Sequence, residues 1–190
     1  MLRLQIIIVS TRPGRKGPAV ATWFEQRARA HGAFEVEVVD LAEVGLPLLD
    51  EPEHPRLRKY QHDHTKRWSA IVERGDAYVF VTPEYNFAAP PSLLNAIDYL
   101  YTEWSEKPAA FVSYGGVSAG LRSVQMAKQV LTSVGVMPIV AGVPIPMFST
   151  RIAADGTFTS DEKLDGSAKA LLTDLARWAE ALAPMRAPRA

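Results

Sequence analysis

The chain has no cysteine at any of its 190 positions. Disulfides, cysteine nucleophiles, thiolate metal sites and iron–sulfur clusters are therefore excluded, and with them the small disulfide-stapled secreted scaffold. A surplus of either charge is missing as well. Lys plus Arg and Asp plus Glu both number 21, so the formal net charge is zero. Proteins that grip phosphate backbones carry clustered excess Lys and Arg, so nucleic acid is not an expected partner. Long apolar runs are absent too. The stretch Ile6-Ile7-Ile8-Val9 is far shorter than the ~20 residues that span a membrane, and no small-residue cleavage site follows it. The expectation is a cytoplasmic protein that does not enter a membrane. Internal repeats, linkers and low-complexity stretches are also lacking. What is there is globular in composition, 47% apolar and 22% charged. This length suits one domain with a sizeable core, expected over residues 1–183, with 184–190 a frayed tail.

Short apolar runs alternate with amphipathic segments. Leu4–Val9, Phe34–Asp40, Ala77–Thr82, Ala109–Ser113 and Val136–Val143 have the length and apolar content of buried strands. Helical spacing of apolar residues marks Pro18–His31, Thr65–Arg74, Ser92–Leu100, Ala119–Val134 and Lys163–Ala183, the last with one stripe from Ala168 through Leu182. Residues 43–64 hold Pro47, Pro52 and Pro55 and are expected to be irregular. Nearly all-apolar strands separated by helices predict an α/β fold with a parallel sheet covered on both faces. Ligands in such sheets sit at the carboxyl ends of the strands, where strand order reverses. The loops after the first, third and fourth strands are the ones to inspect.

The first loop reads Ser10-Thr11-Arg12-Pro13-Gly14-Arg15-Lys16-Gly17-Pro18. Hydroxyls, cations and glycines precede a proline suited to the first helical turn, and a helix N-terminus attracts anions. This predicts a phosphate cradle completed by the hydroxyls and Arg12; the alternative is a polar turn with solvated cations. It is neither a Walker loop nor a G-x-G-x-x-G turn. The second loop, Thr82-Pro83-Glu84-Tyr85-Asn86-Phe87-Ala88-Ala89-Pro90-Pro91, suits a flat ligand with a hydrogen-bonding edge, or else a rigid cap on the core. The third, Ser113-Tyr114-Gly115-Gly116-Val117-Ser118-Ala119-Gly120, allows close backbone approach to a ligand, or is only a sharp strand–helix turn.

Taken together, Ser10–Gly17, Thr82–Asn86, Leu94-Asn95-Ala96-Ile97-Asp98 and Ser113–Gly116 resemble the NADPH-dependent FMN reductase family, whose members include quinone, azo-dye and chromate reductases. The resemblance runs from the first strand to at least Val134, and Thr-Pro-Glu-Tyr-Asn is its most specific part. It implies a flavodoxin-like three-layer sandwich with strand order 2-1-3-4-5. It implies an FMN phosphate held by Ser10, Arg12, Gly17, Pro18, Ala19 and Val20. The isoalloxazine ring would lie along Pro83, Glu84, Tyr85 and Asn86, with Tyr114, Gly115 and Gly116 at its pyrimidine side. Hydride would pass from NADPH or NADH to flavin N5 and on to a quinone, azo, metal-oxyanion or flavin acceptor. The cofactor carries that chemistry, so no catalytic side chain is required. The backbone N–H groups of Gly115 and Gly116 would stabilise charge near flavin N1. Clustered cations favour NADPH. The chain departs from the family at Val9, where glycine is common; a side chain there is expected to narrow the loop entrance.

The resemblance also implies a homodimer or homotetramer. Phe87–Tyr101 is dense in apolar residues, more than one buried face is expected to hide, and is the expected contact. Other features have plainer readings. His54, His62, His64 and Asp63 match no metal-site spacing, and no metal is expected. Arg56, Arg58, Lys59, Lys66 and Arg67 read as a solvated surface, Asp40 as a solvated strand end in preference to the ribose-binding acid of a dinucleotide fold, and Trp23, Trp68, Trp104 and Trp178 as packing residues. Two rival functions share the fold: a flavodoxin-type electron carrier, which zero net charge and Arg12, Arg15 and Lys16 disfavour, and a flavin-free structural or signalling module.

Overall fold

The computed structural model describes residues 1–186. Five strands form one parallel sheet in the order β2-β1-β3-β4-β5: β1 Leu2–Ile8, β2 Phe34–Asp40, β3 Ala77–Pro83, β4 Pro108–Tyr114 and β5 Met137–Ile145. The helices are α1 Gly17–His31, α2 Leu41–Val44, α3 Asp63–Glu73, α4 Pro91–Asp98, α5 Leu121–Ser133 and α6 Glu162–Leu182. The flavodoxin-like order is the one expected. No helix among the described residues is long and apolar enough to cross a membrane.

Side chains alternate across a strand, so β1 serves two cores. Leu4, Ile6 and Ile8 join Val79, Val81, Ala110 and Val112 beneath α1 and α6. Ile7 and Val9 point the other way, to Phe80, Phe111, Trp68 and Trp104 under α3, α4 and α5. Val9 is thus wholly buried in the second core, and its side chain does not narrow the loop as expected. Its backbone is used as well: its N–H donates to Val81 O at 3.1 Å and its carbonyl accepts from Ser92 Oγ at 2.7 Å.

Pairing runs from Leu2↔Phe34 to Ile8↔Asp40 on one side of β1 and from Leu4↔Ala77 to Ile8↔Val81 on the other. The chain leaves β1 for β2 in one direction and returns to β3 in the other, so the loops after β1 and β3 part at this point and leave a crevice.

Several expectations change in detail. Residues 43–64 are irregular, as their prolines imply, between the end of α2 and the start of α3. A single 3₁₀ turn occupies Pro55–Leu57, and the Asn95 amide clamps the strap by accepting from Leu49 N and donating to Pro47 O. His64 and Tyr99 both meet Asp50 Oδ1, at 2.9 and 2.8 Å. The apolar segment 87–101 is largely absorbed by the protomer itself: Leu93, Ile97, Tyr99 and Leu100 are buried, whereas Phe87 is 69% exposed. One buried face therefore hides more of this segment than its composition implies. Trp23, Trp68 and Trp104 pack as expected, but Trp178 is 38% exposed. Of the tail, Ala183–Arg186 forms a 3₁₀ turn. Arg186 is tied to Asp76 at 3.0 Å and to Glu106 O at 3.2 Å, so this part is not frayed; 187–190 lie outside the described residues.

At the amino ends of the strands Lys107 is only 5% exposed. Its ammonium donates to Val72 O, Glu73 O and Tyr78 Oη and so caps the C-terminus of α3. Burial, reinforced by the Arg186 charge, lowers its pKa to about 8, although Asp76, Glu73 and Glu103 pull the other way. The unfolded chain therefore holds this proton more tightly than the native one between about pH 8 and the ordinary lysine value, and stability rises with pH across that window. Urea unfolding from pH 7 to 10 should show wild type gaining stability relative to Lys107→Met as pH rises. A gap independent of pH would refute this assignment.

Candidate functional site

The carboxyl ends of β1, β3, β4 and β5 surround a cavity of about 420 Å³. Its wall combines Ser10, Arg12, Arg15 and Lys16 after β1, Pro83, Glu84, Tyr85 and Asn86 after β3, Tyr114 and Gly115 after β4, and Phe148 after β5.

The first wall is built for an anion. No side chain caps the N-terminus of α1, where Pro18 stands in the first turn, so its N–H groups and dipole are left for a ligand. Gly17 has to be glycine here. A Cβ would fall 2.3 Å from Ser10 Oγ and 2.9 Å from Tyr114 Oη. Both hydroxyls are buried, and neither finds a protein hydrogen-bond partner outside the pair they form. An unpartnered buried hydroxyl is costly, and two side by side beneath a helix N-terminus need a polar group between or above them. Burial pushes the Tyr114 phenol up to about 12, despite the nearby Ser10 hydroxyl and the Arg15 and Arg12 charges. It stays protonated at neutral pH and can donate. Arg12 and Lys16 are exposed at the rim. Arg15 points back into the protein, to Ser10 O and Asp40.

The other expected phosphate residues lie deeper. Pro18 and Ala19 are half-buried. Val20 is wholly buried in the core beneath α1, and its N–H donates to Lys16 O at 3.4 Å. Its contribution is to seat the helix.

The second wall is a tight reversal. Tyr85 and Ala88 exchange both backbone bonds, at 3.1 and 2.9 Å, around Asn86 at φ 50° and Phe87 at φ 66°. Two left-handed central residues are the pattern of a type I′ turn. Asn tolerates that backbone; a bulky Phe does so only at a cost. The Arg122 guanidinium lies 3.9 Å above the Phe87 ring and helps to hold it. Glu84 ties this wall to the next, accepting from Arg122 Nε at 2.7 Å and Ser118 Oγ at 3.0 Å. Burial pushes the Glu84 carboxyl up, but these hydrogen bonds and the Arg122 charge outweigh it and hold the pKa below the ordinary value. Glu84 is therefore an anionic brace between loops.

In the third wall Gly115 N–H donates to Ile145 O at 3.3 Å. This corrects the expectation that it is free to stabilise charge on a ligand. Gly116 lies outside the lining; its carbonyl accepts from Met147 N and Ala119 N. The Phe148 ring meets Tyr114 edge-on at 5.0 Å and closes the floor. The sequence reading missed Phe148 because it followed the loops after three strands and not the fifth; an aromatic just beyond an edge strand was the available signal.

Comparison with known proteins agrees with this geometry. Residues 2–150 match the family described as NADPH-dependent FMN reductase. The chain is 40% identical over 120 residues to an NAD(P)H-dependent FMN reductase of Schizosaccharomyces pombe, covering 62% of this chain and 60% of that protein. It is 34% identical over 155 residues to a Saccharomyces cerevisiae protein of the same description, covering 76% of this chain and 80% of the other. Among solved structures it is similar to the flavoenzyme NAD(P)H:(acceptor) oxidoreductase of Paracoccus denitrificans, with a TM-score of 0.76, 24% identity, and coverage of 95% of this chain and 98% of that one.

A Gly17→Ala substitution forces Ser10 Oγ and Tyr114 Oη aside while the hydrophobic cores remain intact. Flavin-fluorescence titration should show FMN binding weakened by at least about tenfold, or ~1.4 kcal/mol, with the circular dichroism spectrum unchanged. Wild-type affinity in this variant would disprove the anion cradle.

Proposed function

Because the chain belongs to the NADPH-dependent FMN reductase family, we propose that it holds FMN in this cavity and acts as an NAD(P)H-dependent oxidoreductase. The pair of buried hydroxyls with no protein partner beyond each other, Ser10 Oγ and Tyr114 Oη, beside Gly17 at the α1 N-terminus, is the observation that carries the reading. A phosphate monoester supplies the acceptor oxygens these groups lack, and its charge meets the helix dipole and Arg12. FMN, when bound, supplies the chemistry of accepting hydride from NADPH or NADH and releasing it to an acceptor.

The residues of this chain have other tasks. Ser10, Arg12, Gly17, Pro18 and Ala19 form the phosphate end, and Val20 anchors the helix that presents it. Pro83, Tyr85 and Asn86 supply a stiff wall for a flat ring, with Glu84 bracing it through Arg122 and Ser118. Tyr114, Gly115 and Phe148 close the floor against water, and Gly116 fixes the turn behind them. The acceptor is a small oxidant of the quinone, azo, metal-oxyanion or flavin class, taken up at the open mouth. We assign the protein to the cytoplasm as a single domain, which takes in the turn to Arg186 beyond the expected bound at 183. We also assign a homodimer or homotetramer, for which the remaining support is exposed Phe87, Val117 and Met147 on the loops around that mouth and Leu121 at the start of α5.

The purified protein should be yellow with FMN. NADPH added without air should bleach it, and a benzoquinone should then restore the colour, with ping-pong steady-state kinetics. A protein that FMN cannot reconstitute would support the flavin-free module. A yellow protein that neither NADPH nor NADH bleaches would support the electron carrier. Arg12→Ala should weaken FMN binding by roughly 1.5–3 kcal/mol, the range for a hydrogen bond to a charged group; an unchanged dissociation constant after dialysis would remove Arg12 from the site.

A further inference from the structure

The loop after β1 has two arginines, and the structure separates their roles. Arg12 stands at the rim of the cavity. Arg15 lines it too, but its guanidinium is turned to the protein. Its Nη1 donates to Ser10 O at 3.0 Å and to Asp40 Oδ1 at 2.8 Å, while Nη2 lies 2.7 Å from Asp40 Oδ2. The two side chains are only 19% and 11% exposed. Asp40 ends β2 opposite Ile8, and its Oδ1 also accepts from Ala42 N at 3.0 Å to cap α2. A planar guanidinium held in two parallel bonds by a carboxylate is geometrically fixed in a way a single ion pair is not. Whatever the guanidinium grips is fixed with it, and here that is the carbonyl of the residue whose hydroxyl lies unpartnered in the cradle.

We propose that Asp40 is a positioning residue for the phosphate end of the site. Acting through Arg15 and the Ser10 carbonyl, it holds residues 10–16 in the one conformation that offers Ser10 Oγ and the α1 N–H groups to an anion. The proposal rests on the FMN reading for the identity of that anion. In the absence of such a clamp, a loop with Gly14 at φ 71° and three exposed residues between Thr11 and Pro13 must be ordered by the ligand itself, and binding loses that ordering entropy. Two consequences follow from the charges. Arg15 is neutralised by Asp40, so phosphate charge is met by Arg12, Lys16 and the helix dipole. Asp40 likewise has both oxygens engaged, so it is not free to read a ribose as an acid at this strand end does in dinucleotide-binding sheets.

Asp40→Asn isolates the clamp, because asparagine still caps a helix N-terminus but cannot form the charged fork. Dissociation constants for FMN and for riboflavin, measured on wild type and variant, separate the phosphate end from the ring end. Amide hydrogen exchange of residues 10–16 in the flavin-free protein reads the loop directly. The expected result is FMN binding weaker by on the order of tenfold, riboflavin binding unchanged, and faster exchange over the loop. Asp40→Glu should recover part of the FMN affinity. In an Arg15→Gln background, Asp40→Asn should have no further effect. Unchanged or tighter FMN binding in Asp40→Asn would overturn the proposal, the latter by showing that Arg15 is a restrained phosphate ligand. Equal losses for FMN and riboflavin would reduce Asp40 to a general structural role and overturn it too. A wild type that binds neither flavin would refute the FMN reading, and the exchange measurement, which needs no flavin, would still decide the clamp.

Discussion

A parallel sheet is stable only when helices cover both of its faces, and here the two-residue alternation of β1 divides its side chains between the two covers. Everything at the functional end depends on that division. With Ile8 committed to one core and Val9 to the other, the chain has no freedom left in where it exits the sheet. Val9 is bonded through its N–H to β3 and through its carbonyl to Ser92 of α4. Ser10 is therefore the first residue not held by the ladder, and it emerges at the point where strand order reverses. The crevice there is what remains when adjacent strands send their crossovers to opposite faces.

The cradle follows from a second constraint, the need to pair buried polar groups. Across the described residues most buried side-chain donors find partners, as with Trp68 Nε1 on Ala96 O and Lys107 on the end of α3. Ser10 and Tyr114 stand out against that background because they are adjacent, buried and without a partner beyond each other. Hydroxyls left this way raise the energy of the ligand-free protein and lower the relative energy of any state in which an acceptor reaches them. Gly17 permits the arrangement by having no Cβ.

The two walls that would flank a ring are stiffened by different means. The β3 wall combines Pro83 with a two-residue reversal and the Glu84 brace to α5. The β4 wall is threaded to the loop after β5 by paired backbone bonds between residues 115–116 and 145–148. Rigid walls and an ordered phosphate loop have the same effect on binding, since less freedom is lost when the ligand arrives.

The apolar runs, their lengths and the helical stripes determined the α/β class, the parallel sheet and the loops that matter, because strand and helix periodicity are local properties that survive any tertiary arrangement. Loop composition likewise marked the hydroxyls and Arg12 after the first strand, since a helix start rich in hydroxyls and cations attracts an anion, and the family resemblance added Gly17 and the Pro83–Asn86 stretch. Element ends shifted by at most two residues, as with the helix expected from Ala119 that begins at Leu121, because hydrogen bonding and not pattern decides where an element stops. The roles of side chains within the site were decided only by the tertiary structure. Nothing local distinguishes Arg12 from Arg15; what separates them is Asp40, 25 residues away along the chain from Arg15 and delivered by the register of β1 against β2. Tyr114 reaches Ser10 only because β4 lies two strands from β1, and Phe148 meets Tyr114 only because the chain turns back after the edge strand. The apolar surplus of residues 87–101 disappeared for the same reason: the second core, built from distant strands and helices, was large enough to take Leu93, Ile97, Tyr99 and Leu100. Burial and pairing are sums over neighbours from remote segments, and a linear pattern contains no record of which neighbours arrive.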